Sequence, residues 1–283
     1  MYIELSAKRK NHENVDDFIN SFRSYFWLEK HHWYIRSHYY QTSHSLDIYL
    51  YTLPYVFNDL TRYVSASNDR STLPQALNSS HHYDRVHTIK NAFILRIQVH
   101  NIRNLTIDLP FNDRLFEFLP TFHRLNSLTV SSRYNNADRC LQLLLDRAPC
   151  LYSLSIKSWP DSQTPIVGNT SPSLRRLDLR MAEYTTLQHV FTVEECKAIA
   201  EVSLGWQCEE LLIRVNDHNS IRTLLNLPQL RLLNVLCRFY QPVFSRWELL
   251  ETNVLLEFLR DSLPPSHILL ENNHSDSIWI CRK

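Results

Sequence analysis

The sequence predicts an α/β fold of stacked repeats, and three observations carry that prediction. A short pattern of apolar, two residues, leucine, one residue, apolar returns six times between residues 102 and 235. It reads Ile102-Leu105-Ile107, Leu125-Leu128-Val130, Leu151-Leu154-Ile156, Leu174-Leu177-Leu179, Cys208-Leu211-Ile213 and Leu230-Leu233-Val235. The central leucines stand 23, 26, 23, 34 and 22 residues apart, mostly within the roughly 20–29-residue period of leucine-rich repeats. Between the copies the spacing turns helical. Together these features predict a leucine-rich-repeat solenoid, with parallel strands on a concave face and helical or irregular returns behind.

The elements follow in chain order. Val15, Phe18, Ile19 and Phe22 recur at helical spacing behind Asn14, which predicts a short amphipathic helix over 14–25. Two aromatic runs, 31–40 and 46–51, have strand composition and flank the polar turn 41–45, so they predict an antiparallel hairpin. Residues 55–63 read as a short helix, 65–84 as a polar loop, and 85–99 as one or two strands. Within the array, helices are expected over 136–147 behind a capping Asn136, after the capping box Thr192-x-x-Glu195, and over 219–227. Leu119-Pro120, Ala148-Pro149, Ser171-Pro172 and Leu227-Pro228 end the returns, since proline cannot continue a helix and biases its predecessor toward extended backbone. A helix over 254–263 and a hairpin of Ile268-Leu269-Leu270 with Ile278-Trp279-Ile280 close the chain as a cap. The predicted organisation is an N-terminal helix and aromatic hairpin region over 1–98, repeats over 99–240, and capping elements over 241–283.

Each copy has a physical reason for its spacing. In a strand, alternate residues face opposite sides, so the leucines go to a core and the residues between them go to solvent. The outward positions are Thr106, Thr129, Ser155, Asp178, Leu212 and Asn234, followed by Asp108, Ser131, Lys157, Arg180, Arg214 and Leu236, with Arg176 one step earlier. Stacked arrays offer this strand face as a wide, variable surface, so Thr106, Asp108, Thr129, Ser131, Ser155, Lys157, Arg176, Asp178, Arg180, Leu212, Arg214 and Asn234 are the expected partner-binding residues.

Composition narrows the function classes. A hydrophobic content of 44% and a charged content of 21% are those of a globular chain. The only glycines, Gly168 and Gly205, lack the companions of a phosphate-binding loop. A formal charge of +1 gives no global attraction for nucleic acid or anionic membrane. No stretch approaches the roughly 20 apolar residues of a membrane span. The six cysteines, at 140, 150, 196, 208, 237 and 281, form no C-x-x-C pair and several lie among apolar repeat positions, which fits a reducing intracellular setting, cytoplasmic or nuclear.

No constellation for catalysis, metal or cofactor emerges. His31-His32, read as strand neighbours, point to opposite faces, and His81-His82 lie in a polar loop without Cys or carboxylate companions at ligand spacing. The carboxylate pairs Asp16-Asp17, Glu194-Glu195 and Glu209-Glu210 sit at helix or strand starts, where solvation or the helix dipole accounts for them. The cluster from Phe26 to Tyr34 offers rings for nucleobase stacking, but its basic residues do not extend into a stripe. A packed aromatic sheet capping the first repeat is the preferred reading.

The repeats 174–179 and 230–235 resemble those of F-box/leucine-rich-repeat proteins. The block Phe26-Trp27-Leu28-Glu29-Lys30-His31-His32-Trp33, the run from Ile48 to Tyr55, Gly205-Trp206-Gln207-Cys208-Glu209, and the close from Leu263-Pro264 to Ile278-Trp279-Ile280 resemble the carboxy-terminal region of large invertebrate families of F-box proteins. The resemblance implies a substrate-recognition subunit of a ubiquitin ligase, holding a protein substrate on its repeats. A Skp-type adaptor is implied only where an F-box lies upstream. Leu53-Pro54-Tyr55 has the opening Leu-Pro of an F-box but lacks the acidic residue after it and follows a strand. The expected function is therefore non-enzymatic protein binding, with a stand-alone scaffold as the alternative and a nucleic-acid binder behind both.

Overall fold

The computed structural model describes residues 2–8, 13–41, 45–63, 68–74, 80–92, 98–112, 115–135, 137–160, 164–181, 189–215, 217–236, 259–261, 263–272 and 277–282. They form a mixed α/β structure in two compact units, Met1–Ile107 with Phe111–Leu125, and Asp108–Pro110 with Asn126–Lys283.

In the first unit, β1 (Tyr2–Lys8), β2 (Tyr34–Gln41), β3 (Ser45–Leu53) and β5 (Asn68–Ser71) make an antiparallel sheet in the order β1-β3-β2-β5. The predicted aromatic hairpin is its centre, with Arg36 opposite Tyr51 and Tyr34 opposite Leu53. Ile35, Leu50, Tyr51 and Leu53 are buried, and so is Arg36. The His38 ring nitrogen lies 2.8 Å from the Tyr51 hydroxyl, Tyr51 lies 3.3 Å from the Tyr83 hydroxyl, and Arg36 donates to Tyr83 at 3.3 Å. That chain satisfies polar groups whose burial would otherwise be costly.

Several local expectations change here. Residues 55–63 are not helical: β4 (Asp59–Tyr63) is a strand that pairs in parallel with β6 (Thr88–Ala92), and β6 pairs with β7 (Asn104–Leu109). Leu60, Ile89 and Leu105 stand in register and are buried, so the ladder begins before the first leucine-centred copy. The polar stretch 65–84 contains β5 and a 3-10 turn, Ser80–Tyr83. Pairing of β5 with β2 supplies the partner that its hydrophilic sequence conceals. The N-terminal helix α1 (Glu13–Asn20) runs on through a 3-10 turn, Ser21–Arg23, to a π-helical turn, Phe26–Lys30, so the aromatic block is helical and β2 starts only at Tyr34. The short helix α2 (Leu115–Phe118) completes this unit.

In the second unit the leucine pattern becomes a ladder. β8 (Ser127–Ser132), β9 (Ser153–Ser158), β10 (Arg176–Asp178), β11 (Glu210–Arg214) and β12 (Leu232–Leu236) run in parallel. Leu128, Leu154, Leu177, Leu211 and Leu233 occupy one register row and are fully buried. Each such leucine contributes on the order of 1.5–3 kcal/mol of apolar burial.

The strands are locked at their starts by one repeated device. The carbonyl two residues before the central leucine accepts two successive N–H groups of the next repeat: Asn126 from Tyr152 and Ser153, Tyr152 from Arg175 and Arg176, Arg175 from Glu209 and Glu210, Glu209 from Arg231 and Leu232, at 2.7–3.0 Å. Asn58 and His87 do the same in the first unit.

The connections between the second unit's strands carry α3 (Ala137–Arg147), α4 (Val193–Glu201), α5 (Ser203–Gln207) and α6 (His218–Leu225). The long step between Leu177 and Leu211 thus carries α4 and α5. The capping box on α4 is complete, with Thr192 Oγ1 accepting from Glu195 N and Glu195 Oε2 accepting from Thr192 N. Helix α6 is capped by Asp217 and starts at His218, one residue before the expected 219–227. β13 (His267–Asn272) and β14 (Ser277–Arg282) form the predicted closing pair, and β14 adds antiparallel to β12 with Leu233 opposite Ile280. Asn136, Cys237 and most of the expected helix 254–263 lie outside the described residues; 259–261 are helical.

Candidate functional site

The outward side of the second unit's ladder is built by the same register that buries the leucines. Thr129 pairs with Ser155, Ser155 with Asp178, Asp178 with Leu212, and Leu212 with Asn234. A bulge between Val130 and Ser131 pairs Ser131 with Ser158, so Lys157 stands beside the ladder without a register partner on β8. Arg176 sits one row earlier, between Ser153 and Glu210. Asp108 belongs to the second unit and is half-buried, whereas Thr106 lies in the first, opposite Lys90.

This predicted column is not uniform. Thr129, Ser131, Ser155, Lys157, Arg176, Asp178 and Arg180 are half-buried and reach solvent. Leu212 at 3%, Arg214 at 6% and Asn234 at 1% exposure are enclosed by the chain itself, so the part of the column that reaches solvent lies on β8 to β10. Both amide atoms of Asn234 are buried without a hydrogen-bond partner.

Charge on the open part is held in place. Arg180 grips Asp178 through Nε to Oδ1 at 2.9 Å and Nη2 to Oδ2 at 2.7 Å, and its backbone N–H adds a third bond at 3.2 Å. Burial alone would raise the Asp178 pKa. The Arg180 hydrogen bonds and charge, with the charge of Lys157, outweigh burial and hold the carboxyl below its ordinary 3.8. Arg180 is raised in turn, chiefly by its bond to Asp178.

Asp178→Asn is therefore expected to lower stability by about 1 kcal/mol at neutral pH, a figure kept small because Arg180 is partly exposed. A carboxyl depressed in the folded chain adds stability above its ordinary pKa and loses it as pH falls through the lowered folded value. Urea midpoints at about pH 7 and about pH 3 should show the wild-type advantage shrinking in acid. A constant difference would remove this ion pair as a source of stability.

Beside this column runs a second row that sequence reasoning passed over. Tyr152 donates to Glu210 Oε1 at 3.1 Å, and Arg176 Nε lies 3.4 Å from Glu210 Oε2, near enough for an ion pair though not aligned for a hydrogen bond. Glu209 is shared by Arg175 at 3.6 Å and Arg231 at 3.5 Å. The signal was present: Tyr152, Arg175, Glu209 and Arg231 each stand two residues before a central leucine.

No protein-family model, curated protein or solved structure matches this chain. The functional reading therefore rests on the chain's own chemistry. Among the described residues no group of three metal-ligating side chains converges. Burial pushes the Cys196 and Cys208 thiols up to about 12, which leaves both protonated and unreactive at neutral pH. No helix is long and apolar enough to cross a membrane among the described residues.

The aromatic cluster is a chain of ring contacts, Phe18 to Phe22 at 5.3 Å, Phe22 to Trp27 at 5.1 Å and Trp27 to Trp33 at 5.8 Å, with His31 stacked on Trp33 at 4.6 Å. Its helical turns bury none of their residues, so it is not the packed sheet that composition suggested. Leu53 ends β3 and Pro54 opens the connection to β4, with no helix after it up to Tyr63.

Proposed function

We propose that this chain is a non-enzymatic leucine-rich-repeat interaction module that holds a protein partner on the open strand face at Thr129, Ser131, Ser155, Lys157, Asp178 and Arg180. It serves as the substrate-recognition part of an F-box-type ubiquitin ligase subunit, inside the cell. The observation that carries the binding reading is the shared register of Thr129, Ser155 and Asp178 over fully buried leucines. A face anchored by a core and by paired backbone bonds loses little freedom on binding, so its contacts are not spent on ordering it. The ligase reading is supported by the resemblance of the aromatic block, the repeats and the closing segment to F-box proteins.

The test is affinity capture with the wild-type chain and with Thr129→Arg/Ser155→Arg, which fills the face with bulk and charge. Recovery of bound proteins is expected to fall about tenfold or more, with the thermal midpoint nearly unchanged because neither side chain is in the core. Equal recovery would sink the face as the binding surface. Capture from cells that also yields a Skp-type adaptor and a cullin supports the ligase role; capture without them leaves a scaffold.

A further inference from the structure

The second row ends in a charge imbalance. Arg231 and Arg282 are neighbours: the Arg282 N–H donates to the Arg231 carbonyl at 2.9 Å, where the ladder passes from β12 to β14. With Pro228, Gln229 and Leu230 they line a solvent-open cleft of about 480 Å³. The Arg282 guanidinium is oriented by Nη1 donating to the Pro228 carbonyl at 3.2 Å. Arg231, 74% exposed, has Glu209 as its only ion-pair partner among the described residues, and Glu209 is shared with Arg175. Glu210 is engaged by Tyr152 and Arg176. Three arginines, 175, 176 and 231, thus share two glutamates, and Arg282 adds a further positive charge at the cleft.

Like charges on adjacent strands repel, and neighbouring strands are only about 4.8 Å apart. A carboxylate between the two guanidiniums would relieve that repulsion and accept paired N–H bonds from either fork. We propose that Arg231 and Arg282 form a carboxylate-binding cleft that anchors an acidic segment of the protein partner. That the carboxylate is carried by a protein rests on the interaction-module reading above. A nucleic-acid strand is a poorer fit, because phosphate binding draws on several unneutralised cations along a track. Here Glu209 and Glu210 interrupt the arginines, and the whole chain carries a formal charge of only +1.

The experiment is fluorescence anisotropy with a labelled peptide of alternating glutamate and glycine, a glutamine-glycine control, a uridine oligomer, and inorganic phosphate as competitor. The acidic peptide should bind at low salt and weaken as salt rises. Its affinity should fall about tenfold or more in Arg231→Ala/Arg282→Ala. The charge-conserving Arg231→Lys/Arg282→Lys, which keeps the field and loses the forks, should fall in between and guards against misreading a folding defect. Equal binding by wild type and the alanine pair, or by the glutamine control, overturns the proposal. Tighter arginine-dependent binding of the oligomer overturns it in favour of nucleic acid, and displacement by phosphate as readily as by free acidic peptide assigns the cleft to a small anion. Loss of peptide binding only in the arginine variants, alongside failed capture by the strand face, separates this cleft from the broader reading; the converse result removes the cleft alone.

Discussion

Leu177→Ala is expected to destabilise the second unit by about 3 kcal/mol, within the range of roughly 2–5 kcal/mol for truncating a fully buried leucine. Leu177 lies in register between Leu154 and Leu211, all with no exposed surface, so the lost side chain leaves a void in the middle of the row. β10 is only three residues long and cannot easily rearrange to fill it. Ser155→Ala, one strand away but facing outward, should stay within about 0.5 kcal/mol. Urea unfolding followed by circular dichroism compares the two. Similar midpoints for both variants would mean that the leucine row is not the core of the ladder.

Gly205→Ala is expected to cost about 2 kcal/mol or more, against the direction that helix propensity alone predicts. Gly205 is buried in α5, and a Cβ there would overlap the carbonyl oxygen of Ile199 and sit 3.0 Å from its carbon. Both are backbone atoms, so relief requires the chain from α4 to α5 to shift. Gly168 is the contrast: open space surrounds its missing Cβ, but its φ of +91° is a conformation that only glycine adopts freely. Gly168→Ala should therefore cost about 1–2 kcal/mol through the backbone alone. Thermal midpoints of the two variants check the order, and a stabilised Gly205→Ala would show that α4 and α5 pack less closely than their backbones indicate.

Much of the ladder was legible in the residues themselves. The spacing of Leu128, Leu154, Leu177, Leu211 and Leu233 announced parallel strands with one buried row, because a period of two within a strand and a fixed turn before it leave few other ways to hide the leucines. The capping box at Thr192 and Glu195 was equally local: its two hydrogen bonds join residues three apart. β6 falls in the stretch 85–99 that reads as strand, but β4 and β5 escaped notice because their strand state depends on partners far along the chain. Asn68–Ser71 has nothing in its own composition to mark it as the neighbour of β2.

The candidate surface divides along the same line. Which residues alternate outward from the leucines was determined by the sequence alone, since side-chain direction in a strand follows from position. Only the tertiary structure decided that Leu212, Arg214 and Asn234 are closed off, that Lys157 stands at a bulge, and that Arg231 meets Arg282 across two strands running in opposite directions. Local periodicity determines the face on which a side chain sits. What covers that face, or which charge stands beside it, depends on segments that chain folding brings together from distant positions.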